Sequence, residues 1–376
     1  MASNVLKSHG VEIARDIGAW YVLSLKYGIS ASEIGLIDFN RTGVCLDGNE
    51  IRIGFRTRFN GDILSKGDPS WYALPVRSPE DSNFHIANDE LFFGGTKIGV
   101  LDQPVLDTCD TSYQRGPRLL NLNSRSRSNC CGCRACVHND KTLYDHTVIR
   151  DRRELKTQLD IETFFSHRES LGLKTSTLEQ IAVVTGLFYD EEDCLNHLEM
   201  IHRVVSRLGF TGELMYFGCQ LMSQSSLRRF AKLGRTAIVF AIDNFSKRSS
   251  RLAPVKSAKT LEDFYAAMSI ARTLGIKTTF AYIVGVDSLA CLRNGFEYLE
   301  RACDSFPIVN IFQIQTDLQA TALNIEAKNL EYYLKARIAI ENIFANGDLR
   351  PRRWENYRPL WYREFAGSML SSSAYG

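Results

Sequence analysis

The stretch Asn129-Cys130-Cys131-Gly132-Cys133-Arg134-Ala135-Cys136-Val137-His138-Asn139 holds four of the chain's ten cysteines within seven residues. Cys130, Cys133 and Cys136 stand at C-x2-C-x2-C spacing. At such short separations one loop can wrap a metal centre, because each thiolate reaches inward without the backbone reversing. Three thiolates suit an iron–sulfur cluster with one iron left open, or a zinc site that His138 completes as a fourth ligand. Disulfide pairing is the poorer reading. The neighbours Cys130 and Cys131 cannot readily bridge, and the N-terminal residues contain no apolar run of signal-peptide length.

A loop of this kind needs elements that hold it, and from Pro117 onward the sequence alternates apolar strands with amphipathic helices. Strands are expected at Arg118–Leu122, Ile181–Val184, Glu213–Phe217, Thr236–Ile242, Thr278–Val284 and Ile308–Gln315. Helices are expected at Leu155–Leu171, Glu191–Leu208, Ser223–Leu233, Leu261–Leu274 and Leu289–Ala302, several of them stopped by glycine. Apolar strands separated by crossover helices form a parallel sheet, either flat and doubly wound or curved into a partial barrel. In both, functional groups collect at the carboxyl ends of the strands. The cysteine loop, Thr185-Gly186, Cys219, Asp243 and Gly285 all fall there.

The first part of the chain reads differently. Residues 9–27 have helical apolar spacing through Ile13, Ile17, Trp20 and Tyr21, with Gly28 as a stop, and Ser30 with Glu33 makes a capping box for a second helix. Val44–Leu46 and Ile51–Phe55 around Asp47-Gly48-Asn49 read as a hairpin, and Leu91–Phe93 with Lys97–Leu101 as another. A polar stretch from Gly67 to Ser82 lies between them. The expected organisation is a β-rich N-terminal domain with a leading helix over residues 1–112, a β/α domain over 113–346 and a basic, aromatic tail over 347–376.

A first strand feeding a three-cysteine loop, then five more β/α units, resembles the radical S-adenosylmethionine superfamily over residues 117 to about 346, with a barrel pattern similar to its biotin-synthase-like branch. The resemblance implies an α/β fold, a partial (β/α)6 TIM-like barrel. It implies a [4Fe–4S] cluster on Cys130, Cys133 and Cys136, whose open iron takes S-adenosylmethionine and whose electron yields a 5′-deoxyadenosyl radical. Thr185-Gly186 matches the family's Gly-Gly-Glu position beside the methionine amino group. Asp243 matches the strand-four position for the ribose hydroxyls. Tyr282-Ile283-Val284-Gly285-Val286-Asp287 looks like the family's strand-five Ile-x-Gly segment, with Ile283 and Gly285 against adenine. Arg248 and Arg251 follow strand four, where a cation can meet the methionine carboxylate. The family's commonest spacing, C-x3-C-x2-C, would put a cysteine at Asn129. The loop therefore uses C-x2-C-x2-C, or Cys131 replaces Cys130.

The partners implied are a small-molecule substrate in a biosynthetic or cofactor pathway and a one-electron donor such as flavodoxin or ferredoxin. With 45 basic and 43 acidic residues, a net charge of +2 gives no pull towards nucleic acid or anionic lipid, and no stretch reaches transmembrane length. A cytoplasmic setting is expected. Two other functions use the same residues. One is a zinc scaffold on Cys130, Cys133, Cys136 and His138. The other is a sulfur-inserting enzyme with a second cluster, for which strand three offers Cys219 but strands four and five end in Asp243 and Gly285. Each residue also has a plain structural reading: Asp243 as a helix cap, Arg248 and Arg251 as surface charge, and Cys194, Cys291 and Cys303 as small apolar residues.

Overall fold

The computed structural model describes residues 10–48, 50–61, 64, 70–101, 105–106, 112–114, 118–124, 133, 134, 136, 154–352 and 359–370. Two helices come first, α1 Ile17–Tyr27 and α2 Ala31–Thr42. The helix expected from residue 9 starts only at Ile17, because Asp16 is extended and its carboxylate accepts the N–H of Ala19 at 3.1 Å as an N-cap. Ser30 caps α2 by accepting the N–H of Glu33, as its sequence indicates.

Seven strands follow: β1 Val44–Cys45, β2 Arg52–Phe59, β3 Ser70–Arg77, β4 Phe84–Ala87, β5 Glu90–Phe93, β6 Thr96–Leu101 and β7 Val105–Leu106. Their pairings run β3-β1-β4-β5-β6-β2 and close again from β2 onto β3, with β7 added along β2. The second expected hairpin is β5–β6. The first does not form: β1 lies parallel to β3 and β4 instead of pairing with β2. Gly43, at φ +75°, turns the chain in against β3 so closely that a Cβ would sit 2.4 Å from the Pro75 carbonyl oxygen. The polar stretch before Ser82 contains β3, a strand that its composition does not indicate. Aromatic rings fill this part of the molecule. Phe39 of α2 meets Phe55, Tyr72 and Phe84, and Trp20 of α1 stacks on Phe93 at 4.3 Å.

The second sheet holds β8 Ser112–Gln114, β9 Leu119–Leu122, β10 Gln180–Val184, β11 Glu213–Gly218, β12 Thr236–Asp243, β13 Lys277–Val284 and β14 Ile308–Ile311. Strands β9 to β14 lie side by side in chain order, all parallel, with β8 antiparallel at the β9 edge. The order never reverses, so all the crossover helices fall on one face and the sheet curls into a half-barrel. This is the α/β partial-barrel fold. Strand alternation separates two linings. Leu120, Ile181, Leu214, Ile238, Phe280 and Val309 belong to the main core with the helices. Ala182, Met215, Ala237, Val239, Ala281 and Ile308 form a separate cluster on the inner face.

The two sheets meet at α2. Glu33 is buried there, paired with Arg337 of helix Leu330–Phe344, and accepts the N–H groups of Tyr362, Arg363 and Glu364. The C-terminal segment thus returns across the seam, where Trp361 and Phe365 pack on Phe306 and Pro359 bridges to Asn310 of β14. Among the described residues, no helix is long and apolar enough to cross a membrane.

Candidate active site

Beyond β9, the Leu155 N–H donates to the Ser124 carbonyl at 2.7 Å and brings these two points of the chain together. The Ser124 hydroxyl is also hydrogen-bonded to His197 Nε2, 2.7 Å away in the buried face of helix Glu191–Arg207. The segment that carries the cysteines is therefore tied at its base to the carboxyl side of the sheet. Cys130, Cys131 and His138 lie outside the described residues. Cys133 and Cys136 are described, and they are joined by a 3.0 Å bond from Cys136 N to Cys133 O.

The chain after β12 clasps this pair. Arg134 N donates to the Arg251 carbonyl at 2.8 Å, and Ala253 N donates to Cys133 Sγ at 3.2 Å. Among the described residues, no three His, Cys, Asp or Glu gather into a metal set.

Asp243 ends β12 under strain. A bulge between Ala241 and Asp243 shifts its register against β13, and its φ is +67°, a region that Asp and Asn enter more readily than most residues. It caps no helix: the next helical turn, Arg248–Arg251, has Lys247 at its N-cap with no side-chain bond. Its Oδ2 instead accepts from Lys256 Nζ, both side chains being 16% exposed. Burial works against the Lys256 charge, but Asp243 and the Cys133 and Cys219 sulfurs outweigh it and raise the ammonium's pKa.

The two arginines of this segment are engaged in its folding. Arg248 donates to the carbonyls of Ile242, Asn244 and Lys256, and burial lowers its pKa. Arg251 donates to Asp287 Oδ1 at 3.1 Å and to Ser246 O. Asp287, which the sequence places at the end of the strand-five segment with no role of its own, is fully buried. It also accepts from the N–H groups of Phe245 and Ser246, the Ser246 hydroxyl and the Tyr282 hydroxyl. This one carboxylate holds the turn after β12 against the end of β13. Phe245 stacks on Tyr282 at 4.6 Å, in space that exists because Gly295 has no Cβ.

On β13, the partly buried Ile283 packs against the buried apolar group of Val286, Phe312 and Ile314. Gly285, at φ +120°, could not be replaced without strain, since a Cβ would stand 2.9 Å from Phe312 Cβ. Thr185 and Gly186 follow β10, partly exposed. Just beyond them Gln220 fixes the turn, accepting from Phe188 N at 2.8 Å and donating to Phe188 O at 3.0 Å. Direct contacts link Cys133 to the Arg251–Lys256 segment and that segment to Asp243 and Asp287. Thr185 and Gly186 stand at the end of a different strand.

No family model and no curated protein matches the sequence. Solved structures are similar to it at low identity. Streptococcus suis SuiB bound to S-adenosylmethionine is 13% identical with a TM-score of 0.37, over 56% of this chain and 43% of that one, so the match spans under half of SuiB. Methylornithine synthase (PylB) is 16% identical with a TM-score of 0.39, over 63% of this chain and 75% of that one. The FeFe-hydrogenase maturase HydG from Carboxydothermus hydrogenoformans is 15% identical with a TM-score of 0.41, over 62% of this chain and 53% of that one.

Proposed function

We propose that this chain is a radical S-adenosylmethionine enzyme that acts on a small molecule in a biosynthetic or cofactor pathway. The observation that carries the reading is the clasp over the half-barrel: Cys133, on the loop after the first parallel strand, accepts the N–H of Ala253. Asp243, at the end of the fourth parallel strand, is held by Lys256, three residues beyond Ala253. Cys130, Cys133 and Cys136 would hold a [4Fe–4S] cluster, which supplies the electron that cleaves S-adenosylmethionine to methionine and a 5′-deoxyadenosyl radical. Asp243 is an acceptor for ribose hydroxyls, with Oδ2 already fixed by Lys256. Thr185 and Gly186 offer backbone carbonyls to the methionine amino group. Ile283 and Gly285 make an apolar edge for adenine. Arg251 orders the segment through Asp287. The inner face carries small side chains, Ala182, Ala237 and Ala281, beside Met215, Val239 and Ile308. A one-electron donor of the flavodoxin or ferredoxin type and a cytoplasmic setting complete the proposal.

The rival is a closed zinc site on Cys130, Cys133, Cys136 and His138. Anaerobic purification separates the two. A radical enzyme is brown, with about four irons and four sulfides per chain and release of 5′-deoxyadenosine under reduction. A colourless protein with one zinc overturns the proposal. Cys130→Ala, Cys133→Ala and Cys136→Ala should each lose the iron while Cys131→Ala keeps most of it. If Cys131→Ala bleaches the protein and Cys130→Ala does not, the ligand spacing is the other one. Iron near eight per chain would reopen the sulfur-inserting reading.

A further inference from the structure

Of the five cations between β12 and helix Leu261–Thr273, three make side-chain hydrogen bonds, and they are used differently. Arg248 is taken up by three backbone carbonyls, and Arg251 by Asp287 and the Ser246 carbonyl. Lys256 instead reaches back to the strand ends. Its ammonium is bonded to Asp243 Oδ2, and the Cys133 and Cys219 sulfurs contribute to its electrostatic surroundings. The segment that carries it is fixed at both sides: Lys256 O accepts from Arg248 Nη2 at 2.9 Å, and Lys256 N donates to Ala253 O at 2.9 Å. Ala253 is the residue whose N–H meets Cys133 Sγ. One short helical turn, Pro254–Ser257, therefore joins a cysteine sulfur to the carboxylate at the end of β12.

We propose that Lys256 is a positioning residue that couples the two halves of the site, fixing Asp243 for the ribose of S-adenosylmethionine and placing a positive charge on the same short segment whose Ala253 N–H meets the Cys133 sulfur. The assignment rests on the cluster reading above. Its physical content is a sign. A cation next to a cluster favours the form with the extra electron, and an anion disfavours it, more strongly in a poorly solvated site than in water. Lys256 and Asp243 therefore act on the cluster in opposite directions. A side chain that only supported the fold would produce no such pair of effects.

The test uses the full chain, reconstituted anaerobically with iron and sulfide, as wild type, Lys256→Met, Lys256→Arg and Asp243→Asn. Iron content, cluster midpoint potential followed by electron paramagnetic resonance, and S-adenosylmethionine affinity by calorimetry are measured on each. Lys256→Met should keep its iron, since the thiolates are untouched, while its potential moves negative and its S-adenosylmethionine affinity falls by about tenfold, the scale of one charge-assisted bond. Lys256→Arg, which keeps the charge, should restore the potential. Asp243→Asn, which leaves Lys256 without its counter-charge, should move the potential positive. Iron-loaded Lys256→Met with wild-type potential and affinity overturns the proposal and leaves the cluster reading standing. If Lys256→Met does not fold, Asp243→Asn decides: an unchanged or negative shift overturns the proposal. A wild-type chain that takes up no iron overturns the cluster reading and this proposal together.

Discussion

Two carboxylates in this molecule are each paired with a cation in poorly solvated surroundings, and they are finished to different degrees. At the seam between the sheets, Glu33 is 1% and Arg337 4% exposed. One Glu33 oxygen receives three consecutive backbone N–H groups and the other receives Arg337. Arg337 is used up in turn by Glu341 and the carbonyls of Leu360 and Glu364. At the strand ends, Asp243 has one oxygen on Lys256, and among the described residues its other oxygen has no bond. Both partners are 16% exposed, and the backbone at Asp243 is left-handed. A saturated pair can only support the fold. A half-used carboxylate held in a costly backbone conformation has capacity left for a ligand, and strain of this kind gathers at functional sites.

The largest expected effect belongs to the saturated pair. Glu33→Ala would leave Arg337 buried without a counter-charge and three N–H donors without an acceptor, a loss of about 3–5 kcal/mol in unfolding free energy. Urea denaturation measures it. A loss under about 1 kcal/mol would mean that water reaches the seam and the contrast with Asp243 is unfounded. Asp287 comes next. It is as buried as Glu33 but sits beside the site, so Asp287→Ala should both destabilise, by about 2–4 kcal/mol, and lower iron retention, because the Arg251–Ala253 stretch that grips Cys133 loses its anchor. If Asp287→Ala loses stability but keeps full iron, the clasp does not depend on this carboxylate.

The half-barrel was legible because its strands are apolar on both faces. Runs such as Thr236–Ile242 cannot be confused with half-buried strands, and five of the six were placed within one residue of their observed ends. The last, expected to reach Gln315, stops at Ile311. The N-terminal sheet was harder to read. Strand β3 lies between Pro69 and Pro79 and contains Pro75, so its punctuation reads as a loop. Strand β1 is only two residues long, and its partners are chosen by the close approach of Gly43 to Pro75 rather than by a turn. At the candidate site, cysteine spacing pointed to Cys133, and the strand ends to Asp243 and Gly285. It could not show that Arg251 turns towards Asp287 while Lys256 turns towards Asp243, since both are cations on one polar segment and side-chain direction is set by tertiary packing. Glu33 looked like the last residue of a capping box, and its true partner is 304 positions away.

The smallest stability change should come from Asp243→Asn, and there the comparison is sharpest. Asparagine has the same shape and tolerates the left-handed backbone about as well as aspartate, so the bulge at the end of β12 should survive. Its amide oxygen can still accept from Lys256, and the partial exposure of the pair lets water solvate the ammonium. Unfolding free energy should therefore fall by only about 1 kcal/mol, well under the Glu33→Ala loss. Binding should respond in the opposite proportion. A ribose hydroxyl that donates to a carboxylate loses about 1–3 kcal/mol when that acceptor becomes neutral, which calorimetry with S-adenosylmethionine on the iron-loaded protein would detect. A variant as destabilised as Glu33→Ala yet binding S-adenosylmethionine normally would make Asp243 a second structural carboxylate. Its half-used state would then be a consequence of packing and not of ligand binding.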